Sequence, residues 1–137
     1  VCYWGIKVKY IENDDPDVYM CTDIEKDHTD WYSEDVGLAD FLKIIMYYQV
    51  AEGGYEYGSA IYQRQFPNRE AYLQLLDQIL LGWKKVVEHH GTVIYQQESK
   101  LVWYFKDRKG HIEDIIYSST LTETGMKEME AYGFQEL

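Results

Sequence analysis

Apolar and polar residues alternate along the first ten positions of the chain. Ile6 and Val8 lie on one parity. Lys7 and Lys9 lie on the other, which is the period of a half-buried strand. We therefore predict a first strand over Val1–Tyr10.

A turn signal and a second apolar run come next. Residues 13–16 have the sequence Asn-Asp-Asp-Pro, a composition typical of tight turns. The segment Asp17–Thr22 is predicted to pair with the first strand as a β-hairpin.

Helical spacing begins after residue 33. Ser33 is the predicted N-cap of a first helix, with Glu34 and Asp35 favourably placed at its positive end. The pattern stops at Gly53 and Gly54. The apolar positions that recur every three to four residues are Leu38, Phe41, Leu42, Ile45, Tyr48 and Val50.

A longer apolar stripe follows Pro67. Asn68 is its predicted N-cap, and the helix is predicted to end near Gly91. A stripe this broad must pack on a sheet. It comprises Tyr72, Leu75, Leu76, Ile79, Leu80, Trp83, Val86 and Val87.

The remaining patterns indicate strands and a short last helix. Tyr55–Phe66 is predicted as a strand with a bulge or a close backbone approach at Gly58. Thr120 and Glu123 fit a capping box that opens the last helix, and Gly133 is its predicted stop. An antiparallel meander joined by two short turns is predicted for Thr92–Gln97, Leu101–Lys106 and Ile112–Ser119.

The element order ββαβαβββα favours an α+β fold over a doubly wound one. We predict a single α+β domain over residues 1–137. Its mainly antiparallel sheet is packed by two main helices and a short C-terminal helix.

The composition indicates a folded, acidic protein. Of the 137 residues, 46% are hydrophobic, too many for a disordered acidic tail. The formal net charge of −11 argues against direct binding of nucleic acid or of an anionic membrane. No apolar run reaches the roughly 18 residues of a membrane span, so we expect a soluble chain in the cytoplasm. The favoured partner is cationic, and plain solubility is the alternative.

The acidity is concentrated between Glu12 and Asp35, around Trp31 and Tyr32. Lys26 is the one base in this stretch. Because like charges repel, the stretch needs solvent or a basic partner to offset its field. Its acids are Glu12, Asp14, Asp15, Asp17, Asp23, Glu25, Asp27, Asp30, Glu34 and Asp35.

The histidines offer two candidate sites. His89 and His90 are adjacent, but neighbours on a helix point about 100° apart, so we interpret them as solvated residues at the end of the second helix. His111 and Glu113 share a strand face, but a third ligand is not identified.

Three alternating carboxylates could bind calcium, and two cysteines could be reactive thiols. Asp23, Glu25 and Asp27 alternate like calcium ligands, but the glycine and the spaced glutamate of an EF-hand are missing. Cys2 and Cys21 are predicted to be buried, unreactive thiols. We predict no catalytic residue, no metal site and no cofactor.

A protein-binding function fits this chain best. It would be an acidic domain that neutralises a basic protein, such as a nuclease toxin or a nucleic-acid-binding enzyme, with carboxylates placed where phosphates would lie. Its fourteen tyrosines supply rigid contact area with a polar tip. The predicted partner-binding residues are Asp14, Asp15, Asp23, Glu25, Asp27, Asp30, Trp31 and Tyr32.

In size, acidity and aromatic content the chain resembles bacterial immunity proteins of toxin systems and acidic phage-encoded inhibitors. This resemblance covers no alignable motif and transfers no residue role.

Three alternatives stay open. One is a small-molecule-binding domain or enzyme with a Tyr-lined pocket and His111 or His89 as acid or base. Another is a structural or oligomerising module, and the oligomeric state is not predicted. For Trp31 and Tyr32, the alternative to a contact role is a hydrophobic staple onto the first helix.

Overall fold

The structure is a computed structural model that describes residues 2–22 and 30–137. Within these ranges the chain forms nine strands and three α-helices, with two antiparallel sheets, which confirms the predicted α+β class. The strands are β1 (Tyr3–Gly5), β2 (Asp17–Cys21), β3 (Tyr32–Gly37), β4 (Tyr57–Tyr62), β5 (Lys84–His89), β6 (Thr92–Gln97), β7 (Lys100–Lys106), β8 (Ile112–Thr120) and β9 (Gln135–Glu136). The helices are α1 (Leu38–Gln49), α2 (Arg69–Ile79) and α3 (Glu123–Ala131).

The chain divides into two compact units, Val1–Met46 and Tyr47–Leu137. The first contains a three-stranded sheet of order β1-β2-β3. The second contains a six-stranded sheet of order β5-β6-β7-β8-β4-β9. Folding of the whole chain as one domain stays a prediction, which the cooperativity of unfolding tests.

The predicted hairpin at the start of the chain is confirmed, but its first strand is shorter than predicted. Trp4 of β1 pairs with Met20 of β2, and the pairing ends at Gly5. The chain then closes a 3-10 turn over Val8–Tyr10, so the alternation that continues to Tyr10 does not extend the strand.

The first helix begins at Leu38, and not after Ser33. Residues 32–37 pair with β2 as β3, with Tyr32 opposite Met20. The Ser33 hydroxyl accepts a hydrogen bond from the backbone N–H of Asp35 at 3.0 Å, so it shapes a local turn in the strand. Pairing with a strand distant in sequence overrides the local capping signal.

The second helix is also shorter than predicted. Its N-cap is Asn68, as predicted, whose side chain accepts from the N–H of Ala71 at 2.8 Å. The helix ends at Ile79, and Gly82 follows in the left-handed region with a φ of 79°. Trp83, Val86 and Val87 therefore do not continue the apolar stripe of the helix; Val86 and Val87 belong to β5.

The meander β6-β7-β8 matches its prediction closely. β4 pairs with β8 in an unbroken register, so Gly58 marks no bulge. The N-cap of α3 is Thr122, two residues after the predicted Thr120. Gly133 follows α3 with a φ of 101°, which agrees with the predicted stop.

Helices α2 and α3 pack against one face of the six-stranded sheet. The opposite face carries an aromatic cluster in which Trp103 stacks on Tyr117 with ring centroids 4.3 Å apart, and the ring of Tyr48 meets Trp103 edge-on. The buried core on the helical side comprises Ile61, Tyr72, Leu76, Ile79, Val93, Val102, Tyr104, Ile116, Met129 and Phe134.

Candidate functional site

The predicted partner-binding residues fall into two groups. Three of them, Asp23, Glu25 and Asp27, lie outside the described residues. The other five belong to the first unit and are exposed; they are Asp14, Asp15, Asp30, Trp31 and Tyr32.

Asp15 has a structural role that the sequence did not reveal. Its Oδ1 accepts a hydrogen bond from the backbone N–H of Ala39 at 2.9 Å. The N–H of Leu38 donates to the carbonyl of Pro16 at 3.0 Å. The turn before β2 thus satisfies the first donors of α1, and the carboxylate lies at the positive end of the helix.

Gly37 makes room for this cap. A Cβ atom at Gly37 would lie 2.4 Å from Oδ2 of Asp15, a distance at which the carboxylate must move. The cap and the glycine therefore depend on each other.

Trp31 lies across the first strand of the three-stranded sheet. Its ring packs against Gly5, where an added Cβ would lie 3.4 Å away. Trp31 is 41% exposed and Tyr32 is 60% exposed. A hydrophobic staple requires the helix to start beside these residues, so the start of α1 at Leu38 removes that alternative.

An apolar groove opens beside Trp31. It has a volume of about 270 Å³. The Lys7 ammonium lies 4.3 Å from the centroid of the Tyr19 ring, so its charge is held over an aromatic face. The residues that line this aromatic groove are Gly5, Ile6, Lys7, Val8, Tyr19 and Trp31.

Further apolar side chains of the first unit are exposed at the 3-10 turn. Val8 is 82% exposed and Ile11 is 69% exposed. The alternating pattern placed Val8 on the buried face of a strand, and the turn overturns that expectation. Exposed apolar groups beside a groove are typical of a contact surface.

The first unit also carries most of the net negative charge. Residues 1–46 contain eleven acids and four bases, a net −7 of the total −11. The aromatic groove therefore belongs to the more acidic part of the chain.

A second concavity, in the second unit, surrounds His111. This histidine cleft has a volume of about 630 Å³. His111 and Glu113 both line it, but His111 precedes β8, which begins at Ile112, so the two do not share a strand face as predicted. Among the described residues, those lining the cleft include no tyrosine; the charged and titratable ones are Arg69, Asp107, His111, Glu113 and Asp114.

Asp107 orients His111 within the cleft. Its Oδ1 accepts the backbone N–H groups of His111 at 2.9 Å and of Lys109 at 2.8 Å. Its Oδ2 lies 3.3 Å from Nδ1 of His111. The backbone N–H of His111 is the main cause of the lowered pKa of Asp107. A carboxylate that holds one imidazole nitrogen is the arrangement that acid–base sites use.

Arg69 ties α2 to β8 at the wall of the cleft. Its guanidinium donates to the side chain of Gln63, to the carbonyl of Ile112 and to Asp114, whose Oδ1 lies 3.2 Å away. These bonds occupy much of its donor capacity, so Arg69 acts as a structural tie more than as an anion-binding group.

The remaining candidates differ from their predicted positions. His89 and His90 lie at the turn between β5 and β6 and not at a helix end. Cys21 is buried as predicted, but Cys2 is exposed. The two thiols, both within the described residues, form no disulfide.

Across residues 2–22 and 30–137, no helix has the length and apolar character that crossing a membrane would take. Comparison with protein-family models, with curated proteins and with solved structures finds nothing that matches this chain.

Proposed function

We propose that this chain is a cytoplasmic protein-binding domain that neutralises a basic protein, in the manner of an immunity protein or inhibitor. The observation that carries the proposal is the aromatic groove beside Trp31, in a unit with a net charge of −7. The groove receives an apolar side chain of the partner, and carboxylates of the same unit receive its basic residues.

The size of the groove favours a protein partner over a small molecule. Its volume of about 270 Å³ is below the range of about 300–1,000 Å³ that small-molecule sites occupy. Tryptophan and tyrosine are the side chains that most often dominate protein interfaces, and Trp31 and Tyr32 are both exposed. One anchoring side chain seated against Trp31 fits these dimensions.

The charge of the first unit supplies steering. Opposite charges on two proteins raise the association rate more than they raise the final affinity. Lys7 lines the groove itself and is held over Tyr19, so the seated side chain is apolar and the basic contacts lie at the carboxylates. Of the predicted partner-binding acids within the described residues, Asp14 and Asp30 are exposed and lack the capping function of Asp15.

The experiment is capture from a lysate of the native host, with the whole chain as bait, at low and at high salt. We expect a basic protein to be retained at low salt and lost at high salt. Retention of no basic protein, or retention that salt leaves unchanged, would overturn the proposal.

The histidine cleft supports a second candidate function, the binding of a small molecule with His111 in an acid–base role. Its volume of about 630 Å³ lies within the range of small-molecule sites, and Asp107 holds Nδ1 of His111. A fragment library screened by NMR tests this candidate. Fragment shifts centred on His111 and lost in His111→Asn would favour it, and shifts elsewhere would dismiss it.

A further inference from the structure

The turn between β5 and β6 has an unusual residue at a constrained position. His90 and Gly91 link the paired residues His89 and Thr92, and both lie in the left-handed region, with φ of 46° and 83°. Two such residues make the turn that hairpins prefer, and its first central position is normally Asn, Asp or Gly. Histidine is less usual at this position, although it is among the side chains that adopt positive φ more readily than most.

The turn is fixed to the neighbouring strand. The N–H of Lys106 donates to the carbonyl of Gly91 at 2.7 Å. A Cβ at Gly91 would lie 2.7 Å from the carbonyl oxygen of Lys106, so only glycine fits. This close approach holds the backbone of His90 in one conformation.

The two imidazoles lie beside each other. The ring centroids of His89 and His90 are 4.0 Å apart, with an angle of 54° between the planes, and a ring nitrogen of each lies within 4.8 Å of the other. On a helix these two side chains would point about 100° apart, but His89 ends β5 and His90 lies in the turn that follows. The turn removes the reason for dismissing the pair as metal ligands.

Zinc–histidine bonds of about 2.0–2.1 Å place two nitrogens on a tetrahedral ion about 3.4 Å apart. The ring nitrogens, which lie within 4.8 Å of one another, must approach to that distance when an ion binds. Imidazole pairs suit zinc, nickel and copper, whereas calcium and magnesium require oxygen ligands. His90 is exposed and His89 is half-buried, so an ion in solution can reach the pair from the side of His90.

We propose that His89 and His90 form a binding site for a divalent transition-metal ion of the zinc class. The neighbouring Glu88 does not serve as a ligand, because its carboxylate pairs with Lys85 and with Lys106, the latter at 3.1 Å. The site is built from residues of the second unit alone, and it stands whether or not the proposed partner surface is correct.

Calorimetric titration of the whole chain with zinc chloride, and separately with nickel chloride, tests the site. We expect one equivalent to bind to the wild type. His90→Asn introduces a residue that the turn favours, and His89→Gln replaces the imidazole with an uncharged polar amide. Each should weaken metal binding at least tenfold.

The matched control is His111→Asn, which should bind metal as the wild type does. Unfolding midpoints of all variants in the presence of EDTA establish that the fold is intact. Chemical shifts of the His89 and His90 rings should move during the titration. Absence of binding in the wild type, or equal affinity in an intact His90→Asn, would overturn the proposal.

Discussion

Oδ1 of Asp15 accepts the backbone N–H of Ala39 at 2.9 Å, across 24 residues of sequence. A side chain that looked like one more member of an acidic stretch therefore stabilises the start of α1. Loss of an N-cap costs about 1 kcal/mol. We expect Asp15→Ala to lower the free energy of unfolding by about that amount, measured by urea denaturation.

Two substitutions serve as controls for the effect of Asp15→Ala on stability. Asp14 is exposed and adjacent, so Asp14→Ala should leave stability nearly unchanged. Asparagine caps as well as aspartate does, so Asp15→Asn should retain the stability that Asp15→Ala loses. In Gly37→Ala the new Cβ displaces the same carboxylate. Its effect should therefore be smaller when Asp15 is already alanine, and additive losses would contradict the shared role.

Gly82 separates α2 from β5 through its left-handed backbone, with a φ of 79°. A Cβ there would meet no atom within 4 Å, so the cost of Gly82→Ala is conformational and amounts to about 1 kcal/mol. Gly53 has equally open surroundings and no left-handed φ. Gly53→Ala is expected to be neutral or stabilising. Equal effects of the two substitutions, measured by thermal unfolding, would refute this account of the helix end.

The pKa of Asp107 is lowered, first by the backbone N–H of His111 and then by that of Lys109. Its ionised form therefore stabilises the fold above the unfolded-state pKa near 3.9. That contribution is lost as the pH falls from about 4 through the lower folded-state pKa. Asp107→Asn should flatten the acid limb of stability against pH.

An NMR titration of the Asp107 carboxyl group measures this directly. Because the main donor is a backbone N–H, His111→Asn should leave the pKa of Asp107 below its ordinary range. A carboxyl group that titrates near 4 or above in the wild type would show that the turn does not hold Asp107 as described.

Charge in the first unit should act on the rate of partner association. In one variant Asp23, Glu25, Asp27 and Asp30 are replaced by their amides. We expect this variant to associate more slowly with the captured partner and to dissociate at nearly the same rate. Its thermal stability should be unchanged or improved. The matched variant neutralises four exposed acids of the second unit, Glu56, Asp77, Glu130 and Glu136.

Both variants change the net charge by the same amount. If the first unit is the contact surface, only the first variant should slow association markedly in stopped-flow or surface kinetics. Equal slowing would mean that net charge alone acts. A large loss of stability in the first variant would assign its carboxylates a structural role.

The meander could be predicted because its signals are local. The β-branched and aromatic run Val93–Tyr95 and the turn residues between strands favour pairing of neighbours in sequence. The second helix was predicted to continue past Ile79 because Trp83, Val86 and Val87 happen to continue the helical spacing across Gly82. A left-handed glycine outweighs that pattern, and strand pairing gives Val87 a partner in Ile94.

The features of the candidate site depend on contacts between segments distant in sequence. Ser33 has the local signal of a cap, yet Asp15 performs that role from an earlier turn. The aromatic groove exists because Trp31 crosses Gly5. No local sequence signal predicts that these two residues meet. The sequence predicted an exposed acidic and aromatic surface, but only the structure places an apolar concavity within the first unit.

Differential capture tests the central claim most directly. Wild-type chain, a Trp31→Ser and Tyr32→Ser double variant, and a Tyr132→Ser control are used as bait in the same host lysate, and retained proteins are quantified by mass spectrometry. Tyr132 is an exposed aromatic of the second unit, at 45% exposure. We expect one basic protein to be retained by the wild type and by the control and lost from the double variant. Retention of the same proteins by all three, or loss of a protein that is not basic, would contradict the account.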